Sequence, residues 1–146
     1  MSGQQLLIAH FLAAVVMTAV IWFVQLVQYP LLAWIGPEGF ARHAAEYQRR
    51  VSWIVIPPML TEVATAAGLA VWFPGVYRSP SFIVATLLLV IAWLSTFLWQ
   101  VPLHQKLLSG FNPETIAQLV RSNWLRTFAW TARALLIGWL LYRPAI

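Results

Sequence analysis

The chain has 146 residues, of which 61% are hydrophobic and 9% charged, with nine Lys and Arg against four Glu and no Asp. A soluble domain carries about 25% charged residues, so a water-soluble enzyme and a disordered chain are excluded. The net charge of +5 belongs to bases that flank apolar runs, which points to membrane topology and not to nucleic acid.

The chain length fits one domain, residues 1–146. A helix that crosses a bilayer needs about 20 apolar residues. The first such run spans about 6–29 and is uncharged. It is too long for a signal-peptide core and has no basic residues ahead of it, so it reads as a first crossing helix. Tyr29-Pro30 and Gly36-Pro37 are expected to close it, because proline cannot continue a helical ladder.

Residues 37–50 carry a helical period in which Phe40, His43, Ala44 and Tyr47 share one face, with Arg42, Glu46 and Arg49 on the other. This predicts an amphipathic helix on the interface, with His43 on its apolar side and an Arg42–Glu46 pair at i,i+4 spacing.

The second apolar run spans about 51–73, broken only by Glu62, and Pro57-Pro58 is expected to kink it. After the turn at Pro74-Gly75 and Ser79-Pro80, the third run spans about 81–101, with Pro102 at its end. Asn112-Pro113-Glu114 supplies a cap, a first-turn proline and a first-turn acid, so a helix restarts there and leads into the fourth run, about 124–142. The expected fold is all-α, a transmembrane four-helix up-down bundle with an additional interfacial helix between spans 1 and 2. No internal repeat stands out.

Arg42, Arg49, Arg50, Lys106, Arg121 and Arg126 flank one side, against Arg78 and Arg143 on the other. The positive-inside rule then places residues 30–50 and 102–123 in the cytoplasm and both termini outside, in a bacterial cytoplasmic membrane. Of nine tryptophans, Trp34, Trp53, Trp72, Trp99, Trp124 and Trp139 fall near span ends as an aromatic belt. Trp22, Trp93 and Trp130 lie deeper, as packing or as lining for a porphyrin, quinone or acyl chain.

Polar residues in each span fall on one stripe: Thr18, Gln25, Gln28 and Tyr29; Met59, Glu62 and Thr65; Trp93, Thr96, Gln100 and His104; and Asn123, Arg126, Thr127, Trp130 and Arg133. Such stripes face a bundle interior. They predict a polar cleft open to the basic side. Glu62 and Arg133 lie at similar depth, near the bilayer midplane. Neither charge is affordable alone there, so they are expected to pair.

The candidate ligand-binding residues are Glu62 and Arg133 as a floor, with His43, Gln100, His104, Asn123 and Arg126 at the mouth. Glu62 is the candidate proton carrier if the cleft is catalytic, and His43 and His104 are the candidate metal ligands. His10 near the start of span 1 is expected to lie far from this cleft. The chain has no cysteine, which removes thiolate chemistry and Cys-ligated metals.

Tyr29-Pro30, Phe40, His43, Arg50, Pro58-Met59-x-x-Glu62, Pro102-x-His104 and Asn123-Trp124-x-Arg126-Thr127 with Trp130-Thr131-x-Arg133 resemble a group of small bacterial four-span membrane proteins. That resemblance implies the architecture and a residue set, with no activity attached. His10, Arg49-Arg50 and Pro58-Met59 are faintly similar to the membrane-bound, haem-associated protoporphyrinogen oxidase family. This second likeness implies haem as a cofactor.

The expected function is binding of a small, partly apolar ligand or cofactor (haem, metal, quinone or lipid) in the cleft. The alternative is a non-catalytic accessory or assembly subunit of a larger membrane complex. Expected partners are the lipid bilayer, a small apolar ligand, and other membrane proteins or further copies of the chain.

Overall fold

A computed structural model describes residues 2–142. Four long helices pack side by side: α1 Gly3–Leu32, α2 Phe40–Trp72, α4 Pro80–Leu107 and α5 Pro113–Tyr142, with a single turn, α3 Pro74–Tyr77, between α2 and α4. No strand occurs among the described residues. Helices α1, α2 and α4 are each long and apolar enough to cross a membrane, which marks an integral membrane protein. Helix α5 is not among them, and it carries Arg126 and Arg133 on its buried face.

Each helix buries one stripe at three- and four-residue intervals. In α1 this is His10, Ala14, Met17 and Ile21; in α4 it is Phe82, Ala85, Leu89 and Ala92. The outward faces are apolar instead of charged, with Leu135 71% and Trp34 86% exposed. Such a surface is unfavourable in water and matched to hydrocarbon.

Helix α1 packs along α2 and α5, and α5 along α4. Helices α2 and α4 come together mainly at Val101–Leu107, where the Gln48 side chain donates to the His104 carbonyl at 2.9 Å. Elsewhere they stand apart. Gly68 brings α2 onto α1: a Cβ there would stand 2.9 Å from a Leu6 methyl carbon.

Several local expectations change. Residues 37–50 do not form a separate interfacial helix; from Phe40 onward they are the first turns of α2. Left-handed Gly39, at φ 70°, starts it, and no breaker stands between Arg50 and Val51. The helix also continues through Pro57 and Pro58, although neither proline has an N–H to give to the ladder. Glu46 pairs with Arg49 at 2.8 Å and Arg50 at 2.6 Å, not with Arg42. An acid N-terminal to its base is the favoured helical order, and Arg42 stands on the wrong side.

Pro30 and Pro102 fail to stop their helices. In both cases a π-helical turn comes just before the proline, at Val24–Gln28 and Thr96–Gln100. There the Tyr29 N–H reaches back five residues to the Val24 carbonyl, and Val101 does the same to Thr96. The ladder is already loosened where proline brings its bulk and missing donor, so the helix continues. The two segments share Leu-x-Gln-x-Pro-Leu, at Leu26 to Leu31 and Leu98 to Leu103. This likeness between α1 and α4 is confined to the two π-helical turns and their prolines.

The predicted cap holds: the Thr115 N–H donates to Asn112 Oδ1 at 2.9 Å, and α5 runs unbroken from Pro113 into the fourth apolar run.

Candidate functional site

The polar residues form two clusters, divided by Trp130. The first is a closed network. Arg133 Nη1 donates to Glu62 Oε1, both side chains being wholly buried. Trp130 Nε1 donates to the other carboxylate oxygen at 3.0 Å. Arg133 Nε donates to the Ala85 carbonyl at 2.9 Å, and Nη2 lies 3.2 Å from His10 Nε2. His10 Nδ1 lies 2.7 Å from Thr65 Oγ1, whose hydroxyl donates to the Thr61 carbonyl at 2.6 Å.

With the threonine proton committed to Thr61, the imidazole is neutral. It donates from Nδ1 to Thr65 and accepts from Arg133 at Nε2. The network ties all four long helices together, with His10 on α1, Glu62 and Thr65 on α2, Ala85 on α4, and Trp130 and Arg133 on α5.

His10 therefore belongs with Arg133 rather than at a remote interface. It is also unsuited to ligate haem, since both ring nitrogens are engaged. Neither Glu62 nor Arg133 lines the cavity that holds Gln100, His104 and Arg126.

The second cluster lies nearer the α1–α2 turn. Tyr29 Oη donates to Gln100 Oε1 at 3.2 Å and stands 2.9 Å from His104 Nε2, which then donates to it. Gln100 Nε2 donates to Ser122 Oγ at 2.8 Å. Arg126 neighbours Tyr29 and Tyr47, and its guanidinium carbon stands 5.3 Å from the Trp130 ring centre.

Tyr29, Tyr47, Gln100, His104 and Arg126 form the polar end of a cavity of about 440 Å³. Its other walls are apolar: Met17, Val20, Ile21 and Val24 from α1, Val55 and Met59 from α2, and Trp93 and Phe97 from α4. A second hollow of about 480 Å³ lies between α2 and α4, lined by residues from Val63 to Ala70 and from Thr86 to Phe97. Trp93 and Phe97 border both, so the two form one furrow along the gap between these helices.

Of the seven sequence candidates, the cavity collects Gln100, His104 and Arg126. Asn123 is buried elsewhere, donating from Nδ2 to Gln25 Oε1 at 2.9 Å, while Gln25 donates to the Val120 carbonyl at 3.2 Å. This is an α1–α5 brace. Asn123→Ala leaves Gln25 Oε1 unpaired, and we expect a loss of about 1–3 kcal/mol, read by thermal unfolding in detergent.

His43 is exposed on the first turns of α2, away from the cavity. It does not line the cavity that His104 lines, and among the described residues no three His, Asp or Glu side chains gather to hold a metal. Tyr29, Tyr47 and Trp93 were missed as site residues. Tyr29 and Trp93 were visible as stripe members, whereas Tyr47 was assigned to an interfacial helix. No protein-family model, curated protein or solved structure matches the chain.

Proposed function

We propose that the chain is a four-crossing membrane protein that holds a small, partly apolar molecule in the furrow between α2 and α4. One observation carries the reading: four helices pack closely on three sides of the bundle and stand apart on the fourth, leaving an apolar cavity with a polar end. Ligand pockets of about 300–1,000 Å³ with apolar walls and a few convergent polar groups are the usual form of small-molecule sites.

The fourth crossing is α5. Its 30 residues span about 45 Å at 1.5 Å per residue, and its two deep arginines are turned inward. The bacterial cytoplasmic membrane and the cytoplasmic placement of residues 30–50 and 102–123 belong to the same proposal. Arg126 drops out of the charge count because it is buried. Five bases remain on that side against Arg78, with Arg143 outside the described residues.

The test is photolabelling in phosphatidylcholine vesicles with a diazirine-bearing sixteen-carbon alcohol. Label should concentrate on Val55, Met59 and Phe97, relative to outward Phe128 and Leu135. Val55→Trp should fill the cavity and abolish that excess without changing the outer label. Equal labelling of furrow and outer faces overturns the reading. A chain that takes no label and purifies with a larger subunit points to an accessory role instead.

A further inference from the structure

The furrow holds a charge that the chain does not balance. Arg126 is 6% exposed and lines the cavity, yet among the described residues no carboxylate pairs with it. Each of the four acids lies elsewhere. Glu62 is held by Arg133, Glu46 by Arg49 and Arg50, and Glu114 by Arg121 at 3.0 Å. Glu38 is exposed in the α1–α2 turn.

The surroundings of Arg126 are neutral: the Tyr29 phenol, which hydrogen-bonds it, the Tyr47 phenol and the face of Trp130. Its Nε–H is buried with no acceptor, and so is the indole N–H of Trp93, which lines the same cavity. Buried donors without acceptors are rare in folded proteins. A guanidinium inside a bilayer without a counter-charge is rarer still, because its desolvation is costly and an opposite charge compensates it most fully.

Resting on the ligand-binding reading above, the geometry points to an anion as the missing partner: a single-chain amphiphile bearing one carboxylate, a long-chain fatty acid in chemical class. The guanidinium fork matches a carboxylate in shape and supplies one balancing charge. Gln100 and His104 mark the same polar end, and the alkyl chain follows Met59, Trp93 and Phe97 along the furrow. A lone apolar molecule would leave the guanidinium uncompensated. A dianion would bring one charge too many for a single arginine.

The experiment uses the full chain in phosphatidylcholine vesicles with three photoprobes that share one diazirine-bearing sixteen-carbon chain: the free acid, its methyl ester and the lysophosphatidylcholine. Labelling of Val55, Met59 and Phe97 is mapped by mass spectrometry, with unlabelled palmitate as competitor. At pH 8 the acid should label the furrow at least tenfold more efficiently than the ester.

Arg126→Gln should cancel that preference, leaving ester labelling within twofold, and Arg126→Lys should restore part of it. Should Arg126→Gln fail to fold, the wild-type acid-to-ester ratio still decides. Equal furrow labelling by acid and ester overturns the carboxylate assignment while leaving the pocket intact. Preference for the lysophospholipid reassigns Arg126 to a phosphodiester head group. No furrow labelling by any probe removes the pocket itself.

Discussion

Arg133→Met should be among the most damaging single substitutions in the protein, lowering stability by about 3–5 kcal/mol, the scale for breaking a buried ion pair from one side. The reason lies in what is left behind. Glu62 keeps Trp130 Nε1 but loses its cation, His10 Nε2 loses a donor, and the Ala85 carbonyl loses Arg133 Nε. The tie to α4 and the link from α5 to His10 are lost, while Glu62–Trp130 and His10–Thr65 still join α1, α2 and α5.

Glu62→Gln should cost less, because the amide oxygen can still accept from one of Arg133 and Trp130, although its NH2 then faces the other donor and the charge balance is lost. The Glu62→Met/Arg133→Met double variant should cost less than the sum of its singles, with a coupling of about 0.5–3 kcal/mol. Thermal unfolding in detergent, followed by circular dichroism, checks each. A loss under 1 kcal/mol for Arg133→Met would show that the network is not what holds the helices.

Trp130→Ala should be comparable, at about 3–5 kcal/mol, as for other large aromatics removed from a core. Trp130 is wholly buried and joins the two clusters, with Arg126 over its ring and Glu62 at its Nε1. Trp130→Phe separates these roles. It keeps most of the packing and a face for Arg126, but leaves the carboxylate one donor short, so a loss of about 1–3 kcal/mol is expected. Equal losses for the two variants would mean that the hydrogen bond, and not the packing, carries the effect.

The Glu62–Arg133 pair was legible because desolvation leaves a mid-span acid and a mid-span base few alternatives. The inclusion of His10 was not, because depth was reckoned from the basic side using apolar runs. By the observed helix bounds, Arg133 stands nine residues from Tyr142 and His10 seven from Gly3, roughly 14 Å and 10 Å from the same end. The reach of an arginine side chain closes that difference.

The polar stripes of α2 and α5 are buried as helical phase predicts, whereas those of α1 and α4 run through π-helical turns and are buried only in part. The furrow was hidden for another reason. It arises from the separation of α2 and α4, and no residue pattern within a single helix reports on that spacing. Proline misled twice, at Pro30 and Pro102, because a π-helical turn leaves no mark in composition. Arg126 could be read either as a topological flank or as a mouth residue, and only burial separates the two.

In the membrane-crossing arrangement proposed above, the gap between α2 and α4 opens sideways into the plane of the membrane. The proposed guest would enter by diffusing in two dimensions, in competition with neighbouring acyl chains. Its occupancy is set by its mole fraction among the surrounding lipids, and diluting the vesicles in buffer at constant lipid composition leaves that occupancy unchanged.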